Sequence, residues 1–186
     1  MIVGGGPAGL SAALVLGRQL RRVLVVDSRQ PRNQAAVEMH MYLGREGTNP
    51  AKFLADGRAE LQDYETVEQW EGEIVIVTGA VDGFSLELGD GRQARARRLL
   101  LTGGLVDVPY DIDGLAERWG SSVFHCPFCH GHENRDRRLA VIGNGPSASL
   151  AAYLADRYSD DVILFTHGPS TVPEQVHALL EARRVR

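Results

Sequence analysis

A glycine-rich turn between an apolar strand and a helical segment, found twice in this 186-residue chain, constrains its fold more than any other feature. We call residues 4–9, with the sequence GGGPAG, the first turn. In such a turn one glycine permits the tight bend, the next lets the backbone approach a pyrophosphate at the helix N-terminus, and the last lets helix and strand pack closely. The residues expected to contact a dinucleotide here are Gly4, Gly6, Pro7, Ala8 and Gly9.

The strand that follows this first helix ends in an acid. Residues 23–26 are all apolar, and Asp27 comes directly after them, about 20 residues beyond the turn. A carboxylate at this place holds the adenosine ribose hydroxyls of a dinucleotide. FMN lacks that ribose, so the pattern predicts FAD rather than FMN.

The second turn, residues 143–148, repeats this layout between an apolar strand at 139–142 and a helical segment at 146–157. Counted as for Asp27, the ribose-binding place falls on Thr166, so no carboxylate is there to repel a 2′-phosphate, which favours NADPH over NADH. A half-domain that binds no nucleotide is the alternative. The residues expected to contact the cofactor are Gly143, Gly145, Pro146, Ser147 and Ala148.

Between the two turns lie the two cysteines of the chain, Cys126 and Cys129, in a CPFC motif. Two cysteines at this spacing indicate redox chemistry or metal binding rather than a structural cross-link. A pair that opens a helix gains thiolate character from the helix dipole, and neighbouring histidines can move a proton. Zinc is the rival interpretation, with the ligands His125, Cys126, Cys129, His130 and His132. Because zinc sites usually draw ligands from a second, distant pair, we predict no metal.

Composition narrows the function further. The net charge is −4 and no basic block is present, so nucleic acid is not an expected partner. No segment is apolar for long enough to span a membrane. The apolar run at 8–16 lacks the basic segment that precedes it in a signal peptide, so we expect a cytoplasmic protein.

Taken together, these motifs resemble the low-molecular-weight thioredoxin reductase family, in the branch with a CPxC-His-Gly motif that includes reductase-like dithiol oxidases. The resemblance covers essentially the whole chain. The matching segments are GGGPAGLSAA at 4–13, PRN at 31–33, RLLL at 98–101 and HCPFCHG at 125–131.

The resemblance implies an α/β architecture of two Rossmann-like, three-layer domains, both incomplete in this chain. An FAD-binding domain is expected at 1–106, a linker at 107–114, and an NAD(P)H-binding domain that carries the cysteine pair at 115–186. The return segment that completes the FAD domain in this family is missing, so we expect a truncated protein, homodimeric when intact.

The resemblance also implies site residues. Asp27, Arg32, Asn33 and His40 would face FAD. Cys129 would be the thiol on the flavin side, and Cys126 the thiol that exchanges with substrate. His130 stands where thioredoxin reductases carry an acidic Asp, so His130 would be the proton donor. This difference weakens the case for thioredoxin itself as the substrate.

The expected function is an FAD-dependent disulfide oxidoreductase that passes electrons from NADPH through FAD to the cysteine pair. The partner would be a thioredoxin-like protein or a small-molecule disulfide or dithiol. Two alternatives stay open: an oxidase of small dithiols that needs FAD and oxygen, and a non-catalytic nucleotide- or zinc-binding fragment.

Overall fold

The computed structural model describes residues 1–186, which form two compact units, Met1–Val123 and Phe124–Arg186. The α/β class predicted from the sequence is confirmed, because each unit contains a parallel sheet with helices. The functional domain boundaries stay predictions.

The first unit is organised by a four-stranded parallel sheet with the strand order β3-β2-β1-β7. Its central strand β1 is only two residues long, yet Ile2 is 1% exposed and pairs with both Val25 and Leu100. This places the residues after β1 and β2 at the same sheet edge, where ligands bind in α/β proteins. The four strands are β1 (Ile2–Val3), β2 (Val23–Asp27), β3 (Val67–Glu71) and β7 (Leu100–Leu101).

Two helices cover this sheet and share an apolar core with it. Helix α1 (Pro7–Arg18) starts with a proline, whose fixed φ suits the first helical position. Helix α2 (Pro50–Glu60) is capped by Asn49, whose side chain accepts a hydrogen bond from the Lys52 N–H at 3.1 Å. A 3-10 turn, Leu61–Asp63, follows it. The shared core contains Ile2, Leu10, Ala13, Val23, Val25, Leu54 and Leu61.

The remaining strands of this unit form an antiparallel sheet of β4 (Ile74–Thr78), β5 (Phe84–Leu88) and β6 (Gln93–Ala96). The sequence predicts a hairpin with arms at 84–88 and 92–101. The first arm is confirmed, whereas the second is divided between two sheets. Strand β6 ends at Ala96, and Leu100–Leu101 pair with β1 instead.

The second unit has a two-stranded parallel sheet, β8 (Leu139–Ile142) and β9 (Val162–Phe165). Both strands have the bounds that the sequence predicts from the apolar runs at 139–142 and 162–165. The helices are α3 (Pro127–His130), α4 (Ser149–Arg157) and α5 (Glu174–Ala182), and a 3-10 segment, Gly145–Ala148, precedes α4. No helix in the structure has the length and apolar character needed to cross a membrane.

Candidate functional site

The first turn has the geometry of an open phosphate-binding turn. Gly4 has a φ of +99°, which disfavours other residues, and a Cβ at Gly9 would lie 1.9 Å from the Gly4 carbonyl oxygen. A Cβ at Gly6 would meet nothing within 4 Å. Gly4 and Gly9 are therefore required by the fold, and the space over Gly6 is available to a ligand.

Thr102 fastens this turn to the sheet. Its hydroxyl lies 2.9 Å from the Val3 carbonyl oxygen and 2.8 Å from that of Gly4. The same hydroxyl would lie 2.8 Å from a Cβ at Gly9. Sequence reasoning missed this residue, because its partners lie 98 and 99 positions away in the chain.

Asp27 ends β2 beside the first turn. A Cβ at Gly5 would lie 2.7 Å from an oxygen of the Asp27 carboxylate, so the absence of a side chain at Gly5 makes room for the acid. No hydrogen bond of the chain uses this carboxylate, which leaves it available to ribose hydroxyls. The open turn and this carboxylate together fit the adenosine diphosphate portion of FAD.

The other predicted flavin-facing residues have partners within the first unit. Arg32 makes a two-point ion pair with Asp107, with N–O distances of 2.8 and 2.5 Å, and this raises the pKa of Arg32. The Nδ1 atom of His40 lies 2.7 Å from a carboxylate oxygen of Glu46. Asn33 is exposed, and its backbone carbonyl accepts a hydrogen bond from the Ala36 N–H. Roles for these three residues at a cofactor stay predictions.

The second turn differs from the first in one side chain, Asn144, which occupies the position equivalent to Gly5. Its Nδ2 donates to the carbonyl oxygens of Thr166 at 3.1 Å and Pro169 at 3.0 Å. Its Oδ1 accepts from the Gly145 N–H at 2.9 Å and from the Thr171 N–H and hydroxyl at 2.8 and 3.1 Å. Asn144 therefore binds the loop after β9 to the second turn.

Cys126 and Cys129 form a disulfide at the start of α3. The backbone N–H of Cys129 donates to Cys126 Sγ at 3.1 Å. Once the bond is reduced, this donor would stabilise a thiolate at Cys126 more than one at Cys129. The helix has only four residues, so this local N–H matters more than the helix dipole invoked from the sequence.

His130 lies directly after the cysteine pair. Its ring stacks on Phe124, with centroids 4.1 Å apart and an interplanar angle of 15°. Its carbonyl oxygen accepts a hydrogen bond from Asn134 Nδ2 at 2.8 Å, which fixes the end of the short helix. Nowhere does the structure bring three His, Cys, Asp or Glu side chains together as a metal site requires.

Comparisons with known proteins extend over the whole chain. A family model described as pyridine nucleotide-disulphide oxidoreductase matches residues 1–185. The thioredoxin reductase tcpT of Claviceps purpurea is 37% identical, and the match covers 100% of this chain and 61% of that protein. A thioredoxin reductase of Gibberella zeae is 32% identical, with coverage of 97% and 63%. The chain thus spans about three fifths of the length of these relatives.

Solved structures are similar to this chain over the same extent. An oxidoreductase from Agrobacterium tumefaciens is 40% identical with a TM-score of 0.90, and the match covers 100% of this chain and 62% of the other. A structure described as a thioredoxin reductase TrxB from Bacillus anthracis also has a TM-score of 0.90, at 28% identity, with coverage of 99% and 62%. The fold similarity is therefore close over the entire chain.

Proposed function

The chain belongs to the pyridine nucleotide-disulphide oxidoreductase family, and on that premise we propose that it carries the FAD site and the redox-active cysteine pair of a disulfide oxidoreductase. The observation that carries this proposal is the Cys126–Cys129 disulfide, whose Cys126 sulfur accepts the Cys129 N–H. A bond that closes so short a loop adds little stability but can be reversibly reduced.

The chemistry is thiol–disulfide exchange. In the reduced protein, the Cys126 thiolate attacks one sulfur of a substrate disulfide, and the other substrate sulfur leaves as a thiolate. The Cys129 thiolate then attacks Cys126 Sγ, which releases the second substrate sulfur and restores the disulfide. Two electrons and two protons pass to the substrate overall. His130 is the proposed proton donor, since it directly follows the pair.

FAD is the proposed flavin. The first turn would hold its pyrophosphate, the Asp27 carboxylate would accept hydrogen bonds from its adenosine ribose, and Arg32, Asn33 and His40 would complete the site. The bound flavin would supply the two-electron carrier that recharges the cysteine pair. NADPH is the proposed electron donor. The proposed substrate is a thioredoxin-like protein or a small-molecule disulfide, and the proposed assembly is a homodimer.

A second candidate function, an FAD- and oxygen-dependent oxidase of small dithiols, is favoured by one observation. Asn144 holds a loop of the chain against the second turn, where a nicotinamide dinucleotide would bind. In an oxidase the exchange runs in reverse: a substrate dithiol reduces the Cys126–Cys129 disulfide and leaves as a disulfide. A bound flavin would then carry the two electrons and two protons from the cysteine pair to oxygen, which becomes hydrogen peroxide.

The test measures disulfide reduction with NADPH, and oxygen uptake with a dithiol, in the protein expressed from its whole reading frame. Cys126→Ser and Cys129→Ser should each abolish turnover while the amount of bound flavin stays unchanged. Ser122→Ala, at an exposed residue four positions before Cys126 in the chain, is the control and should keep full activity. If either cysteine variant retains turnover, the proposed exchange is wrong. Turnover with NADPH and a disulfide would identify a reductase, and turnover with a dithiol and oxygen would identify an oxidase.

A further inference from the structure

The two glycine-rich turns, although equivalent in sequence, present different surfaces to a ligand. Over the first turn the space above Gly6 is empty, since a Cβ there would meet no atom within 4 Å. At the equivalent Gly145, a Cβ would lie 3.7 Å from the hydroxyl oxygen of Thr171. Part of the second turn is therefore covered by the protein's own chain.

The covering segment is residues 166–171, which we call the gate loop. It follows β9, the strand whose end lies at the ligand-binding edge of the two-stranded sheet. Four hydrogen bonds join it to Asn144, while the Thr166 hydroxyl donates to the Gly168 carbonyl at 2.9 Å and the Ser170 hydroxyl accepts from the Val172 N–H at 3.3 Å. His167 has a φ of +48°, a conformation that is uncommon outside glycine and that bends the loop back.

The Asn144 amide is fully used in holding the gate loop. Two carbonyl oxygens face its Nδ2 and two backbone N–H groups face its Oδ1, so only one orientation of the amide satisfies all of them. The Gly145 N–H is one of the groups thus occupied, whereas Pro146 lacks an N–H just as Pro7 does in the first turn. One donor that this turn would otherwise offer to a pyrophosphate is therefore used within the chain.

In the second turn, the polar side chain beside the glycines comes from the turn itself and not from the end of the strand. In the first turn, Gly5 has no side chain and Asp27 fills the adjoining space. In the second turn, the side chain is on Asn144, and the strand end carries Thr166, whose carbonyl is bound by that side chain. The first turn, with Gly5 and Asp27, is open to a dinucleotide. The second turn, with Asn144 and Thr166 at the equivalent positions, is covered by the gate loop.

We propose that Asn144 lowers the affinity of the second turn for a nicotinamide dinucleotide: the gate loop, when bound to Asn144, competes with the dinucleotide for this turn, and release of the loop strengthens binding. This inference rests on the proposed function, since it concerns the site where the electron donor would bind. On this proposal, Asn144 and the gate loop determine how readily the enzyme uses a nicotinamide dinucleotide.

The experiment measures binding of NADPH and NADH by calorimetry, and backbone amide hydrogen exchange by NMR. Asn144→Gly restores the residue found in the first turn and should raise the affinity for NADPH about tenfold over the wild type. The Thr171 and Gly145 amides should exchange at least about tenfold faster. Thr171→Val removes a single hydroxyl and should shift both measurements in the same direction by less. Ser149→Ala, whose hydroxyl donates only to the Pro146 carbonyl, should change neither.

Wild-type protein that binds NADPH as tightly as Asn144→Gly would overturn the proposal. So would faster exchange at Thr171 with no gain in affinity, in either the Asn144→Gly or the Thr171→Val protein. Both readouts are independent of the cysteine pair. A failure of the proposed disulfide chemistry would show as turnover that survives Cys126→Ser, with the binding result unaffected.

Discussion

Gly131 lies directly against the ring of Tyr158: a Cβ at Gly131 would come within 2.4 Å of a ring carbon of Tyr158, and within 2.4 Å of the Pro127 carbonyl oxygen. Gly131 has an ordinary helical φ of −66°, so its backbone conformation does not require glycine. The close approach of Tyr158 and of the Pro127 carbonyl oxygen does. This contact joins the end of the cysteine-bearing helix to the residue that follows α4, and it holds the CPFC motif to the core of the second unit.

Gly131→Ala should therefore destabilise the protein by roughly 1–3 kcal/mol, the usual effect of forcing an extra carbon into a packed contact. Thermal unfolding would measure the change. Gly83→Ala is the matched control, since a Cβ at Gly83 would meet nothing within 4 Å. Equal melting temperatures for the two variants would contradict the packing argument.

The glycines of the first turn should separate folding from flavin binding. Gly9→Ala places a Cβ 1.9 Å from the Gly4 carbonyl oxygen, so both stability and FAD binding should be lost. Gly6→Ala meets no protein atom, but its methyl group takes the space proposed for the pyrophosphate. Its melting temperature without flavin should match the wild type while FAD binds at least about tenfold more weakly, a loss of about 1.4 kcal/mol. Unchanged FAD affinity in Gly6→Ala would place the flavin elsewhere.

Removal of the Asp27 carboxylate should affect FAD selectively. Asp27→Ala takes away the acceptor for the ribose hydroxyls and should cost about 1–3 kcal/mol of FAD affinity. FMN has no such ribose, so its weaker binding should stay as it is. Fluorescence titrations with both flavins would measure the effect, and an equal loss for FAD and FMN would contradict the assigned role.

Asp161 should make the second unit sensitive to acid. Its hydrogen bond from Arg138, at 2.8 Å, lowers the pKa of this carboxyl, with Arg186 as a further partner. Because the folded pKa lies below the unfolded one, the stabilisation is present above the unfolded pKa and is lost as the pH falls through the folded pKa. Asp161→Asn should lower the melting temperature at pH 7, and the difference from wild type should shrink as the pH falls through the folded pKa of Asp161. A difference that persists in acid would assign it to packing instead.

Parts of the fold that depend on local patterns could be predicted from the sequence. Strands β8 and β9 have the expected bounds because each is a short apolar run flanked by turn residues. Helix α1 begins at Pro7 and ends at Arg18, one residue beyond the helix that the sequence predicts over 7–17. Strand β3, with the sequence VEQWE, has no clear alternation and was not predicted, since its pairing with β2 decides its conformation.

The sequence by itself determined the α/β class, the two turns, the acid after β2 and the cysteine pair, because each of these depends on residues close together in the chain. Only the tertiary structure decided how the polar side chains are used. The ion pair joins Arg32 to Asp107 across 75 positions of the chain, and the hydrogen bond from the Thr171 N–H to Asn144 spans 27 positions. Such contacts form only when strands pair and loops pack in the folded chain, so the residues near each partner in the sequence do not predict them. For this reason two turns that share the pattern Gly-x-Gly-Pro form one open surface and one closed one.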